Sequence, residues 1–207
     1  GSHGGATAEG QKEILTGYGV TEEFLGCPIR ATMEVDQLGT TPSGMPVFID
    51  RYAHAADSII LCGRVKAHTA FRGPYESGIL KMAVIGMGKQ HGAQTVHRDG
   101  FKALGEMLPV IAKVIFDNAK VLGAVALVEN AFDQTCIISG MLKEEIMEKE
   151  PPLLKRSKEF LGKIFFDDID VLVVDRIGKD ISGDGMDPNI TGRFAVPHVK
   201  GEKNIQH

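Results

Sequence analysis

Four groups able to do chemistry fall between residues 68 and 97, in the stretch VKAHTAFRGPYESGILKMAVIGMGKQHGAQTVHRDGF: His68, Lys81, His91 and His97, set among glycines. Imidazole suits two jobs, binding a late first-row metal and moving protons near neutral pH. A lysine with Ile79, Leu80 and Met82 as neighbours suits a third. If it is desolvated its pKa falls, and the amine becomes available for covalent chemistry; otherwise it snorkels to water. His68 reads either as a catalytic group or as a loop histidine bonded to a backbone carbonyl. His97 reads as a site residue or as a surface histidine at a helix end, favoured there by the helix dipole. His91 and His97 stand six apart, on different helix faces, and make a poor chelating pair.

The elements that must position these groups alternate in type. Helical character over 8–18 stops at Gly17 and Gly19, and Thr21-Glu22-Glu23 starts a second short helix. Residues 31–38 and 46–50 read as a hairpin, and 52–57 as one helical turn. Residues 58–65 form an apolar strand, and His68 follows just past its C-terminal end, where ligands sit in open α/β sheets. Helices are expected at 79–87, 90–97 and 102–118, with a break at Gly100 and a bend at Pro109. Strands follow at 119–128 and 136–142. A helix over 143–161 is expected to be interrupted by Pro151-Pro152, and Val171–Val174 reads as a strongly buried strand. The expected fold is α/β, a layered sandwich with a mixed, largely parallel sheet flanked by helices.

Two loops need weighing. Gly86-Met87-Gly88-Lys89 lacks the spacing of a phosphate-binding loop and a preceding strand, so that reading is rejected. The loop from Gly178 to Asn189 is rich in Gly and Asp but lacks the closing glutamate of a calcium-binding EF-hand. It reads as a loop lining the same cleft as His68, against a plain capped surface turn.

Composition narrows the classes. A net charge of −4 carries no basic footprint for nucleic acid. The Lys155-Arg156-Ser157-Lys158 cluster reads as a solvated helix face. No apolar run reaches membrane-spanning length. Cys27, Cys62 and Cys136 are far apart and odd in number, which points to buried thiols and a reducing cytoplasm rather than a disulfide framework.

With these residues in view, the chain resembles the nickel-dependent lactate racemase family and its relatives, over most of its length and chiefly in its central and C-terminal part. The resemblance rests on GSHGGATAEGQ, on KAHTAFRGPYESGILKMAVIGMGKQHGAQTVH and on IGKDISGDGMDPNITGR. It implies a nickel pincer nucleotide as cofactor, a pyridinium mononucleotide whose thio-acid arms and ring carbon grip nickel. One arm would be joined to Lys81 as a thioamide, with His97 as the nickel ligand and His3 and His68 as an acid/base pair. Gly1-Ser2-His3 also matches the remnant of a cleaved purification tag, so residue types alone leave His3 open.

The implied activity is racemisation or epimerisation of a small 2-hydroxy acid. The hydrogen beside an ionised carboxylate is too weak an acid to leave easily as a proton. Leaving as hydride, while a histidine takes the hydroxyl proton, avoids the carbanion and yields a flat 2-keto acid. Hydride and proton can return to either face. The resemblance further implies a cytoplasmic protein served by cofactor-synthesis proteins, without nucleic acid or membrane partners. It also implies that the chain is one α/β domain spanning 1–207, part of a longer two-domain protein. An upstream arginine for the substrate carboxylate would then lie outside it, and the fragment alone is expected to be inactive. The sequence departs from the racemase pattern at Gly4, where a basic residue is expected, and at Ile79-Leu80, which replace a Gly-basic pair. These departures bear on substrate recognition, and the substrate is expected to be larger or more polar than lactate. Two other classes fit the same residues: a cofactor-free binding or regulatory module, and an oxidoreductase using the same hydride chemistry without completing racemisation.

Overall fold

The computed structural model describes residues 4–97, 100–166, 168–178, 185–196 and 199. After a 3₁₀ turn at Gly4–Ala6 come two short helices, α1 (Ala8–Gly17) and α2 (Glu22–Leu25). Thr7 and Thr21 cap them, each hydroxyl accepting a backbone N–H three residues on. Strands β1 (Val35–Thr40) and β2 (Pro46–Asp50) form the expected antiparallel hairpin, followed by α3 (Arg51–Ala55). Then β3 (Ile59–Arg64) leads into the long loop that carries His68.

The segment after that loop is not a plain helix. It begins as α4 (Ile79–Lys81), passes into a π-helical turn (Met82–Gly86), and restarts as α5 (Lys89–His97). Helix α6 (Gly100–Asn118), strands β4 (Val121–Glu129) and β5 (Thr135–Leu142), helix α7 (Ile146–Phe160) and a last turn α8 (Pro188–Thr191) complete the order.

The main sheet is mixed, in the order β3-β4-β5, with β3 and β4 parallel and β4 and β5 antiparallel. Its inner face presents Ile59, Leu61, Val121, Ala124, Ala126 and Val128. The α4–π segment packs on β3, and α7 packs on β4 and β5. Helix α6 lies against the π segment and the hairpin. Leu104, Leu108, Ile111, Ala112 and Ile115 recur at helical spacing along its buried stripe. Together these side chains form one continuous apolar cluster.

Three expectations are corrected here. Val171–Val174 is not a strand and is not buried: Val173 is 82% exposed, and among the described residues no strand edge pairs with this segment. The three cysteines are exposed. Cys62 and Cys136 occupy outward positions on the edge strands β3 and β5, on the face that also shows Ile60, Ile138 and Leu142 to solvent. Helix α7 runs through Pro151-Pro152 without interruption. Proline at 151 cannot donate to the carbonyl of Met147, four residues back. The Tyr75 hydroxyl donates to that carbonyl instead, at 2.8 Å, so the lost bond is replaced from the His68 loop.

Removing that replacement has a measurable cost. Tyr75→Phe leaves the Met147 carbonyl unpaired and is expected to lower stability by about 1 kcal/mol, seen as a lower urea midpoint at unchanged slope.

Candidate functional site

His68 lies at the carboxyl end of β3, past an extended stretch in which Val65 and Ala67 are buried while Lys66 is exposed. Its ring stacks on the buried Phe71 at 4.2 Å between centroids. The Ala70 N–H donates to Nδ1 at 3.0 Å, which puts the proton of the neutral ring on Nε2. The backbone is clamped as firmly. The His68 N–H donates to Glu76 at 2.8 Å, and its carbonyl accepts from Arg72 and from Asn189.

Glu76 is the centre of that clamp. Its side chain is wholly buried, and it is paired with Lys158 at 2.6 Å and with Arg72 at 3.6 Å. Lys158 belongs to the basic cluster read as a solvated face and is indeed exposed; its ammonium reaches Glu76 from there, since a buried carboxylate needs a cation. Arg72 also reaches Asn189 at 2.5 Å and lies over the Phe194 ring. The Gly178–Asn189 loop therefore meets the cleft at its C-terminal end, as expected; residues 179–184 lie outside the described residues.

A second buried carboxylate holds the start of the lysine helix. Glu150, from α7, accepts the Leu80 N–H at 3.0 Å. Burial pushes its pKa up to about 7 against the opposing pull of the Leu80 and Ile79 amides. Its Oε1 has no hydrogen-bond partner among the described residues. Gly78 is required beside it, since a Cβ there would overlap that oxygen.

Lys81 follows one residue after this cap. It is half-buried, and its ammonium makes no hydrogen bond or ion pair among the described residues. Burial, and then the charge of Lys66, lower its pKa to about 8. The chain then reverses direction at Lys89, whose φ of 54° is left-handed. Gly88 allows the turn, because a Cβ there would strike the Val84 carbonyl. Lys89 stands eight residues after Lys81 and eight before His97, so the reversal brings His97 back towards Lys81. The turn is anchored from below by Asp50, which pairs with Lys89 at 3.2 Å and donates its N–H to the Met87 carbonyl.

His68, Lys81 and His97 thus share one electrostatic neighbourhood. Burial first, then Lys81, Arg72, His97 and Lys66 push the His68 pKa down to about 3. Burial and Lys81 lower that of His97 as well, although its ring lies at the exposed end of α5. His91 does not join them and packs edge-on against Phe48 at 4.5 Å. His3 lies outside the described residues. A groove of about 780 Å³ between the hairpin turn and the second half of α6, lined by Thr41, Pro42, Pro109 and Val114, contains none of these residues.

Among the described residues no three His, Cys, Asp or Glu side chains gather to hold a metal. A metal here needs donors from a second group, and the residues fit one that brings its own. Among the described residues they offer a half-buried amine without an ion pair, a neutral imidazole, and the cations Lys66, near both, and Arg72, near the imidazole.

Glu76, Arg72, Asn189 and Glu150 escaped the reading of the sequence. A glutamate in a Gly/Pro loop was the only local signal for Glu76, and nothing local marked Glu150. Two measurements test their surroundings. Lys81→Met removes the largest charge acting on His68 and is expected to raise its pKa from about 3, followed by NMR titration of the ring. Glu150 has a raised folded pKa, so its stabilising effect is full below 4.5 and is lost as pH rises through about 7. Glu150→Gln is expected to flatten that slope, so the variant should gain stability relative to the parent from pH 4.5 to pH 7 in urea titrations.

The lactate racemase N-terminal domain family matches residues 1–105. No curated protein matches the chain. The match occupies the first half of the chain, not the central and C-terminal part where the resemblance was placed, and the string Ile177–Arg193 falls outside it. It does contain His3, His68, Lys81 and His97. By this match over half its length, the chain belongs to the lactate racemase family.

Proposed function

We propose that the chain is the site-bearing part of a racemase or epimerase of a 2-hydroxy acid, acting by reversible hydride transfer with a nickel pincer nucleotide tethered to Lys81. The observation that carries this reading is the electrostatic coupling of His68, Lys81 and His97. When bound, such a group would supply a nickel and pyridinium centre that accepts the substrate hydrogen together with its electron pair.

The protein's own residues do the rest. With a pKa of about 8, roughly a tenth of Lys81 is free amine at pH 7, so it can act as a nucleophile in forming the tether. An amide at Lys81 carries no charge, which relieves His68 of its strongest neighbouring cation and moves its pKa back towards the range useful for proton transfer. His97 stays neutral at pH 7 and keeps a lone pair for the metal. To take the hydroxyl proton, His68 must use its unprotonated nitrogen. In the ring as placed this is Nδ1, so the substrate hydroxyl takes the position of the Ala70 N–H there. His3 would serve the opposite face of the substrate. The cations around His68 would favour the substrate's carboxylate. In this reading residues 1–207 are one α/β domain of a longer cytoplasmic protein that depends on cofactor-synthesis partners. No described helix is long and apolar enough to cross a membrane.

The test uses the full-length protein made together with the cofactor-synthesis enzymes. Intact-mass spectrometry should find an adduct on Lys81 and about one nickel per chain; Lys81→Ala should lose both, and His97→Ala should keep the adduct and lose nickel. An unmodified Lys81 without nickel would sink the proposal and leave a binding module. Each pure enantiomer of substrate should become a mixture; accumulation of 2-keto acid instead would mark an oxidoreductase.

A further inference from the structure

Lys66 has no part in the chemistry just described, yet the fold delivers it to the same cleft. In the extended stretch after β3, Val65 and Ala67 point into the core at 1% and 5% exposure. Side chains alternate along such a stretch, so Lys66 and His68 lie on the same side, about 6.6 Å apart along the chain. Across from Lys66 is Ser77, joined to it by a two-bond bridge: the Lys66 N–H donates to Ser77 at 2.8 Å, and the Ser77 N–H donates back at 3.1 Å. Ser77 immediately precedes Gly78 and the helix of Lys81. The bridge therefore fixes Lys66 beside both the His68 loop and the first turn of the lysine helix.

The Lys66 side chain is exposed and makes no hydrogen bond or ion pair among the described residues. Its neighbour Arg72 is different. That guanidinium is committed to two backbone carbonyls, to Asn189 and to Glu76. Glu76 is in turn taken by Lys158. An unpaired ammonium at the rim of a cleft that already holds Lys81 is unfavourable unless something anionic joins it.

We propose that Lys66 selects the substrate by binding a second anionic group on the 2-hydroxy acid, a terminal carboxylate or phosphate remote from the reacting carbon. The inference rests on the 2-hydroxy acid reading of the site and names its substrate class. A carboxylate on the reacting carbon stays close to the imidazole. A group two or three bonds further out reaches the rim, which matches the separation of Lys66 from His68. Lactate has no such group, so the site discriminates against it.

Binding is measured on the full-length protein, made with and without the cofactor-synthesis enzymes. Calorimetry compares 2-hydroxybutanedioate, 2-hydroxy-3-(phosphonooxy)propanoate and 2-hydroxypropanoate, with the His68 ring resonances reporting the site. At least one of the two doubly anionic acids should bind ten-fold or more tightly than 2-hydroxypropanoate, and the tighter of the two identifies the terminal group. Lys66→Met should reduce that preference to within two-fold, and Lys66→Arg should retain it. Equal affinity for all three acids, no measurable binding, or an undiminished preference in Lys66→Met would overturn the assignment. A chain that shows the preference but never acquires a Lys81 adduct keeps the inference and loses the hydride mechanism.

Discussion

Glu76 has no contact with solvent, and its carboxylate gathers the Lys158 ammonium, the Arg72 guanidinium and the His68 backbone N–H around one point. A charge taken so far out of water is tolerated only when it is fully paired, and breaking such an arrangement costs about 3–5 kcal/mol. That cost gives the His68 loop its shape. The loop has glycines and a proline and no regular structure of its own, so its backbone at His68 depends on Glu76 together with Arg72 and Asn189, which bond the His68 carbonyl. Glu150 does the equivalent for Lys81 from the other side of the cleft, capping the helix start through Leu80. Both partners that reach in from α7, Lys158 and Glu150, come from one helix, and Tyr75 ties the loop back to it. The relative placement of His68 and Lys81 is therefore set by α7, which contributes nothing to the chemistry itself.

The chain carries a net charge of −4, yet the cleft is cationic. Lys66, Lys81 and Arg72 act together on His68, and the nearby carboxylates are turned away from the ring to hold backbone amides or other cations. This local inversion has two consequences. It keeps both imidazoles neutral at pH 7, so they are available as proton acceptor or metal ligand. It also ties the protonation of His68 to the state of Lys81, so that any modification neutralising the amine changes the basicity of the imidazole without moving an atom of the fold.

The departures from regular helix lie where the site is assembled. The π turn at Met82–Gly86 and the left-handed Lys89 depart from the periodic pattern of the surrounding residues. They join the apolar segment that starts at Ile79 to the polar helix Lys89–His97, with Lys81 and His97 each eight residues from Lys89. Backbone irregularities of this kind are common beside functional positions. Here the bend is secured by the Asp50–Lys89 pair and by the Met87 carbonyl, which accepts the Asp50 N–H.

Much of this protein follows from its sequence. Alternation and apolar runs locate the hairpin, β3, β4 and β5, because a strand buried on one face must repeat with a period of two. The stripe of α6 is equally direct. His68, Lys81 and His97 stand out by residue type and neighbours, and all three fall within the residues the family matches. Tertiary structure decided what local patterns cannot encode. Val171–Val174 has the composition of a buried strand but finds no partner edge among the described residues, since burial depends on what lies opposite and not on the segment alone. Cys62 and Cys136 face outward because no described residue covers that face of the sheet. Pro151-Pro152 fail to break α7 because a tyrosine seventy-two positions away in the chain supplies the missing donor. The carboxylates that fix the cleft are ordinary surface residues by type, and only the packing of α7 against the loop takes them out of water and makes them hold the site.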